Sequence, residues 1–142
     1  MNIPWKVSEQ QSIQVGGTQN PVPASFSTPG EDVRGYDWIE YTVLIENNVG
    51  VGPISQLDAR VDYSEAAGDL AGLWFPLTSE DVDTSGLAPQ ADWAPRRTVS
   101  GSTVKWRIPV PVHGPLMRLI LIANGTPDGT STLKVYAYRR SF

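Results

Sequence analysis

The chain has no cysteine, so neither a disulfide framework nor a thiolate metal site can hold it together. Its single histidine is His113, which on its own cannot build the usual zinc site. His113 lies in the proline-flanked bend "PVHGPL", and no G-x-S-x-G elbow is present to give it a nucleophile, so a catalytic triad is not expected. "GTPDG" carries glycines without a phosphate-loop pattern, and the sequon Asn124-Gly125-Thr126 reads as a turn. The longest apolar stretch without a charge, "IPVPVHGPLM" (108 to 117), is broken by prolines and too short to span a bilayer. "MNIPWKVSEQQSIQV" lacks the basic start and apolar run of a signal peptide. These absences predict a protein without catalytic machinery, cofactor, metal or membrane span, made and used in the cytoplasm or in something assembled there.

Positive charge is scarce as well. A net charge of −4 argues against a nucleic-acid binder that works by neutralising many phosphates. Residues 1 to 92 hold fourteen acids against Lys6, Arg34 and Arg60, a balance of −11, whereas residues 93 to 142 hold eight bases against Asp128, +7. In a sandwich the two halves interleave and much of this cancels. Any remainder would leave faces of opposite sign, suited to packing copies side by side or docking on another protein.

What is present points to strands. At 142 residues the chain suits one domain, and 13 glycines and 12 prolines interrupt it too often for long helices. Residues 1 to 35 have little apolar periodicity, and "GGTQNPVPASFSTPGED" (16 to 32) reads as an extended arm that something must hold in place. From Tyr36 onward the period is two. In "WIEYTVLIEN" (38 to 47), Ile39, Tyr41, Val43 and Ile45 share one face; "LDARVDY", "TVKWRIPV" and "STLKVYAYRR" alternate in the same way. "LMRLILIA" (116 to 123) is apolar on both faces except at Arg118, as for a central strand. Pro109, Pro111 and Pro115 mark an edge, a bend or a strand switching sheets. "YSEAAGDLAG" (63 to 72) is the one segment able to form a helical turn. The expected fold is all-β: an antiparallel, jelly-roll-like β-sandwich (36 to 142) preceded by an extended N-terminal arm (1 to 35).

Two features carry candidate chemistry. Glu80, Asp81 and Asp83 in "SEDVD" offer hard oxygen ligands of the kind calcium takes, but not at EF-hand spacing, which leaves a cation site or a solvated acidic loop. Five tryptophans are many for this length. Trp38 and Trp106 sit in regular strands and read as packing residues. Trp5 with Lys6, Trp74 with Phe75, and Trp93 with Arg96 and Arg97 are the candidate contact residues, because rigid aromatics and arginines anchor interfaces and exposed aromatics can stack on sugars.

The arm before one sandwich, the passage "ARVDYSEAAGDLAGLWFPL" and the finishing hairpin "LMRLILIANGTPDGTSTLKVYAYRR" together resemble virion proteins of tailed bacteriophages, in particular small jelly-roll modules of capsid decoration and tail assemblies. That resemblance implies a non-enzymatic capsid decoration (cement) protein that bridges major capsid protein subunits or other virion proteins. It would be homo-oligomeric, with a trimer favoured, and would sit on the capsid surface after assembly in the host cytoplasm. A tail, neck or baseplate component is the alternative of the same class, and a carbohydrate-binding, receptor-binding sandwich is the alternative of another.

Overall fold

The computed structural model describes residues 5–16, 20–65, 68, 72–82 and 92–141, and for 5–12 and 80 the backbone alone. Among the described residues ten strands follow in chain order: β1 (Trp5–Gly16), β2 (Ala24–Ser27), β3 (Glu31–Asp32), β4 (Trp38–Glu46), β5 (Ile54–Ser64), β6 (Phe75–Pro76), β7 (Arg96–Thr98), β8 (Thr103–Pro111), β9 (Leu116–Gly125) and β10 (Asp128–Arg140). One short helix, α1 (Ser79–Val82), lies between β6 and β7. The first sheet has the order β1-β10-β4-β8, and the second has the order β2-β9-β5-β6, with β3 also on β9 and β7 also on β5. Every pairing is antiparallel.

β2 and β3 lie one after the other along one side of β9, and β6 and β7 do the same along β5. Counting each broken pair as one interrupted strand leaves eight strands, in the orders 1-8-3-6 and 2-7-4-5. This is the doubly wound Greek-key arrangement of a jelly roll.

The alternation in the sequence becomes the two sides of each sheet. Ile39, Tyr41, Val43 and Ile45 of β4 are fully buried and pack with Leu57, Ala59 and Val61 of β5. Val104, Ile108 and Val110 of β8, Met117, Leu119, Leu121 and Ala123 of β9, and Leu133, Val135 and Ala137 of β10 complete one core between the sheets. Fully burying a side chain of this kind contributes roughly 1.5–3 kcal/mol, so these residues dominate the folding energy. Trp106 packs half-buried against them. β9 is central, between β2/β3 and β5, as its two-sided apolar pattern predicts. β8 is an edge. Val112 donates to the Asp37 carbonyl at 2.9 Å, so by alternation the nitrogens of Pro109 and Pro111 face the open side, where the missing N–H costs no ladder bond.

Three sequence expectations are corrected. The described parts of residues 1–35 are not an arm outside the sandwich. β1 runs along β10, β2 and β3 flank β9, and Val15, Ala24 and Val33 are buried in the core. The pattern is hard to read in β1 because register shifts between Trp5 and Ser8 and between Ser8 and Ile13 break its period of two. At the end of β1, Gly16 adopts φ +91°, and a Cβ there would collide with the Pro127 carbonyl; only glycine fits.

"LMRLILIANGTPDGTSTLKVYAYRR" is not a hairpin: its turn carries the chain from β9 in one sheet to β10 in the other. A helical turn lies at Ser79–Val82; of the segment 63–72, β5 takes residues up to Ser64, and the turn expected there falls on residues 66, 67 and 69–71, outside the described ones. Trp38 belongs to the outward row of β4 with Glu40 and Thr42, not to the inter-sheet core.

Candidate functional site

The outer side of the second sheet concentrates the chemistry. On β5, Asp58, Arg60 and Asp62 alternate with the core residues and so point away from it. Asp62 is only 1% exposed and accepts from two arginines. Arg60 of the same strand bonds it at 2.9 and 3.2 Å, and Arg118 of β9, its register partner, bonds it at 3.0 and 3.2 Å. The Arg118 guanidinium in turn lies over the Trp74 ring, 4.2 Å from its centre, a cation–π stack. An added Cβ at Gly30 would come within 3.0 Å of the Trp74 ring. Two residues along β5 from Arg60, Asp58 accepts from Arg96 of β7 at 2.7 Å. In the same outward row as Arg118, β9 carries Leu116, Ile120 beside Arg60, and Ile122 beside Asp58, and Ile122 is 37% exposed.

Phe75 goes the other way. Its register partner is Tyr63, with ring centres 5.9 Å apart, and Tyr63 meets the His113 ring edge-on at 4.8 Å. His113 Nε2 is 3.2 Å from Asp81 Oδ1. The other oxygen of Asp81 accepts from the Thr78 backbone N–H at 2.8 Å and from its hydroxyl at 2.9 Å, while the Asp81 N–H returns to Thr78 Oγ1 at 3.3 Å. This reciprocal pair is a capping box, with aspartate in the usual glutamate position, and "TSED" carries its spacing. Trp93 donates its backbone N–H to the Leu77 carbonyl at 2.7 Å, and its ring packs against the core.

The first sheet's outer side has a matching device. Glu40 of β4 bonds Arg107 of β8 at 3.1 Å and Arg140 of β10 at 2.6 Å, with half-buried Tyr136 and Tyr138 in the adjacent outward row of β10. Inside the sandwich, Glu31 is 2% exposed and accepts from the fully buried Tyr41 hydroxyl at 3.3 Å, while its Oε1 is buried without a hydrogen-bond partner among the described residues. Burial pushes the Glu31 carboxyl up to about 7, and burial together with Glu31 pushes the Tyr41 phenol well above its ordinary range. At the surface, hydrogen bonds from Arg34 hold Asp32 down at about 2.

The expected contact residues therefore divide. Trp74 and Arg96 share the outer side of the second sheet, and Arg97, exposed on β7, registers with Leu57. Phe75 and Trp93 turn toward the core at Tyr63 and Leu77. Trp5 and Lys6 lie on β1, and their side chains are outside the described residues. Asp81 spends both oxygens on Thr78 and His113, Asp83 lies outside the described residues, and among the described residues no three metal-ligating groups converge. Sequence reasoning missed Asp62, Glu40 and Glu31. The alternating Asp58-Arg60-Asp62 and the lone Arg118 in an apolar strand were the signals available for the first of these.

No family model matches the chain, and no curated protein does. Among solved structures, the K3 cleaved adhesin domain of Lys-gingipain from Porphyromonas gingivalis aligns with a TM-score of 0.36 and 16% identity, over 90% of this chain and 71% of that one. The class the fold itself defines is an all-β antiparallel sandwich of jelly-roll topology.

Proposed function

We propose that this chain is a non-enzymatic structural protein of a virion, a capsid decoration protein that docks in several copies on its neighbours through the outer side of the second sheet. The observation that carries the docking reading is the outward pair Ile120 and Ile122 on central strand β9, with Arg118 next in the same row and Arg60, Arg96 and Trp74 around it. An apolar strip with arginine and tryptophan at its border has the composition of an interface centre. The arginines are already held by Asp58 and Asp62, so little side-chain freedom remains to be lost on docking. A tail, neck or baseplate position would use the same side. The carbohydrate reading gains no support, because Arg118 covers one side of the Trp74 ring and Trp93 packs on the core.

The test is the double variant Ile120→Lys, Ile122→Asp, assayed for attachment to particles that lack the protein. The variant should fold with the wild-type circular dichroism spectrum and lose at least tenfold in particle binding. Wild-type binding by this variant would remove the second sheet as the docking side.

A further inference from the structure

Glu31 is the one acid of the described residues placed between the sheets, where it meets the Tyr41 and Thr28 hydroxyls and its own backbone but no cation. β3, which carries it, pairs with β9 over two residues only, Glu31 with Met117 and Asp32 with Leu116. The segment on either side is held by fully buried Val33 and by three hydrogen bonds to β9 and the residue before it. Thr28 donates its N–H to the Leu119 carbonyl and accepts the Leu119 N–H at its hydroxyl, both at 2.9 Å, and Val33 donates to the Pro115 carbonyl at 3.0 Å. Facing Glu31 across the core is Tyr41 of β4, the titratable group in contact with it. From its own segment the Thr28 hydroxyl is its other side-chain partner. The charged groups nearby sit on the surface side and are engaged there: Asp32 holds Arg34, and Arg139 of β10 reaches the Asp32 carbonyl and the Tyr36 ring.

We propose that Glu31 is a proton-operated latch: its neutral form locks residues 28–33 onto β9, and its ionised form releases them and uncovers β9 at Leu116–Leu119. A buried carboxylate with one oxygen unpartnered and no cation in contact is costly. It can regain water by leaving the core, and a two-residue pairing is much cheaper to open than the whole sandwich. The sign follows from the folded chain holding this proton more tightly than the opened segment does, about 7 against an ordinary 4.5. Closure is fully favoured below about 4.5, weakens as pH climbs, and carries its complete charge penalty above about 7.

Amide hydrogen exchange on the full chain tests this, read as protection factors at pH 5 and pH 8. In the wild type, protection at residues 28–33 and 116–119 should fall by up to about a hundredfold between the two, while β4 and β8 keep theirs. Glu31→Gln, which keeps the shape and cannot ionise, should hold the segment closed at both pH values. Constant wild-type protection in this segment, an equal fall in Glu31→Gln, or a uniform fall across every strand would each overturn the latch. Carbon-detected NMR of the wild-type carboxyls supplies an independent reading. A Glu31 midpoint near neutrality supports the latch, and one in the ordinary carboxylate range overturns it.

Discussion

At the scale of single residues, Asp62 shows how burial makes the two ends of an ion pair unequal. The carboxylate side chain is 2% exposed, while Arg118 is 27% and Arg60 44% exposed. Removing the acid frees two guanidinium groups that already reach water, but removing Arg118 leaves a buried carboxylate with Arg60 as its one remaining cation among the described residues. Arg118→Leu should therefore cost about 2 kcal/mol, and the near-isosteric Asp62→Asn only about 1 kcal/mol, as measured by urea unfolding. The reverse order would mean that solvent reaches Asp62. Little of this pairing was legible in the sequence, because Asp62 and Arg118 stand 56 positions apart. They meet only through the register of β5 on β9, which the apolar residues on the other side of both strands decide. The alternation of charges was visible; the partner across the strands was not.

At the scale of elements, local pattern was readable wherever a strand has one side in the core and a regular ladder. β4 and β8 run in unbroken register over nine pairs, from Trp38 with Pro111 to Glu46 with Thr103, and their alternation is plain. β1 escaped notice because its ladder slips, and because its apolar alternation is confined to two short pairs, Trp5 with Val7 and Ile13 with Val15, separated by the polar run from Ser8 to Ser12. α1 is the converse case, too short for periodicity and marked only by its cap. Four residues of helix have almost no intrinsic stability, so Thr78 and Asp81 with His113 must set where it sits. Asp81→Ala removes the returning cap bonds and the His113 contact together and should cost about 1–2 kcal/mol. Limited proteolysis should then cut more quickly between Pro76 and Trp93. Unchanged stability and cleavage would show that the surrounding loop does not depend on the cap.

At the scale of the whole molecule, the all-β class and the jelly-roll-like sandwich followed from composition and period, but the crossing from β9 to β10 did not. Turn residues such as those at 124–129 are compatible with a hairpin and with a crossing between sheets, and the choice is made by which core faces close on each other. The same point changes the meaning of the N-terminal third. With β1 on β10 and with Val15, Ala24 and Val33 inside the core, a chain lacking residues 1–35 should lose its cooperative unfolding transition and aggregate, rather than persist as a folded sandwich. Sharp unfolding of the truncated chain, followed by fluorescence or calorimetry, would contradict this placement of β1.

The prolines of β8 and the broken strand lines β2/β3 and β6/β7 have a consequence for crowding. A continuous, hydrogen-bonding border invites another molecule to add its own strand and continue the sheet without limit. Here one border has lost two donors and two others are interrupted within a few residues, so these three offer poor templates for sheet-by-sheet polymerisation, and β1 is the fourth border, with an unbroken run. Sheet-to-sheet addition of strands is thereby narrowed from four borders to the one that β1 forms.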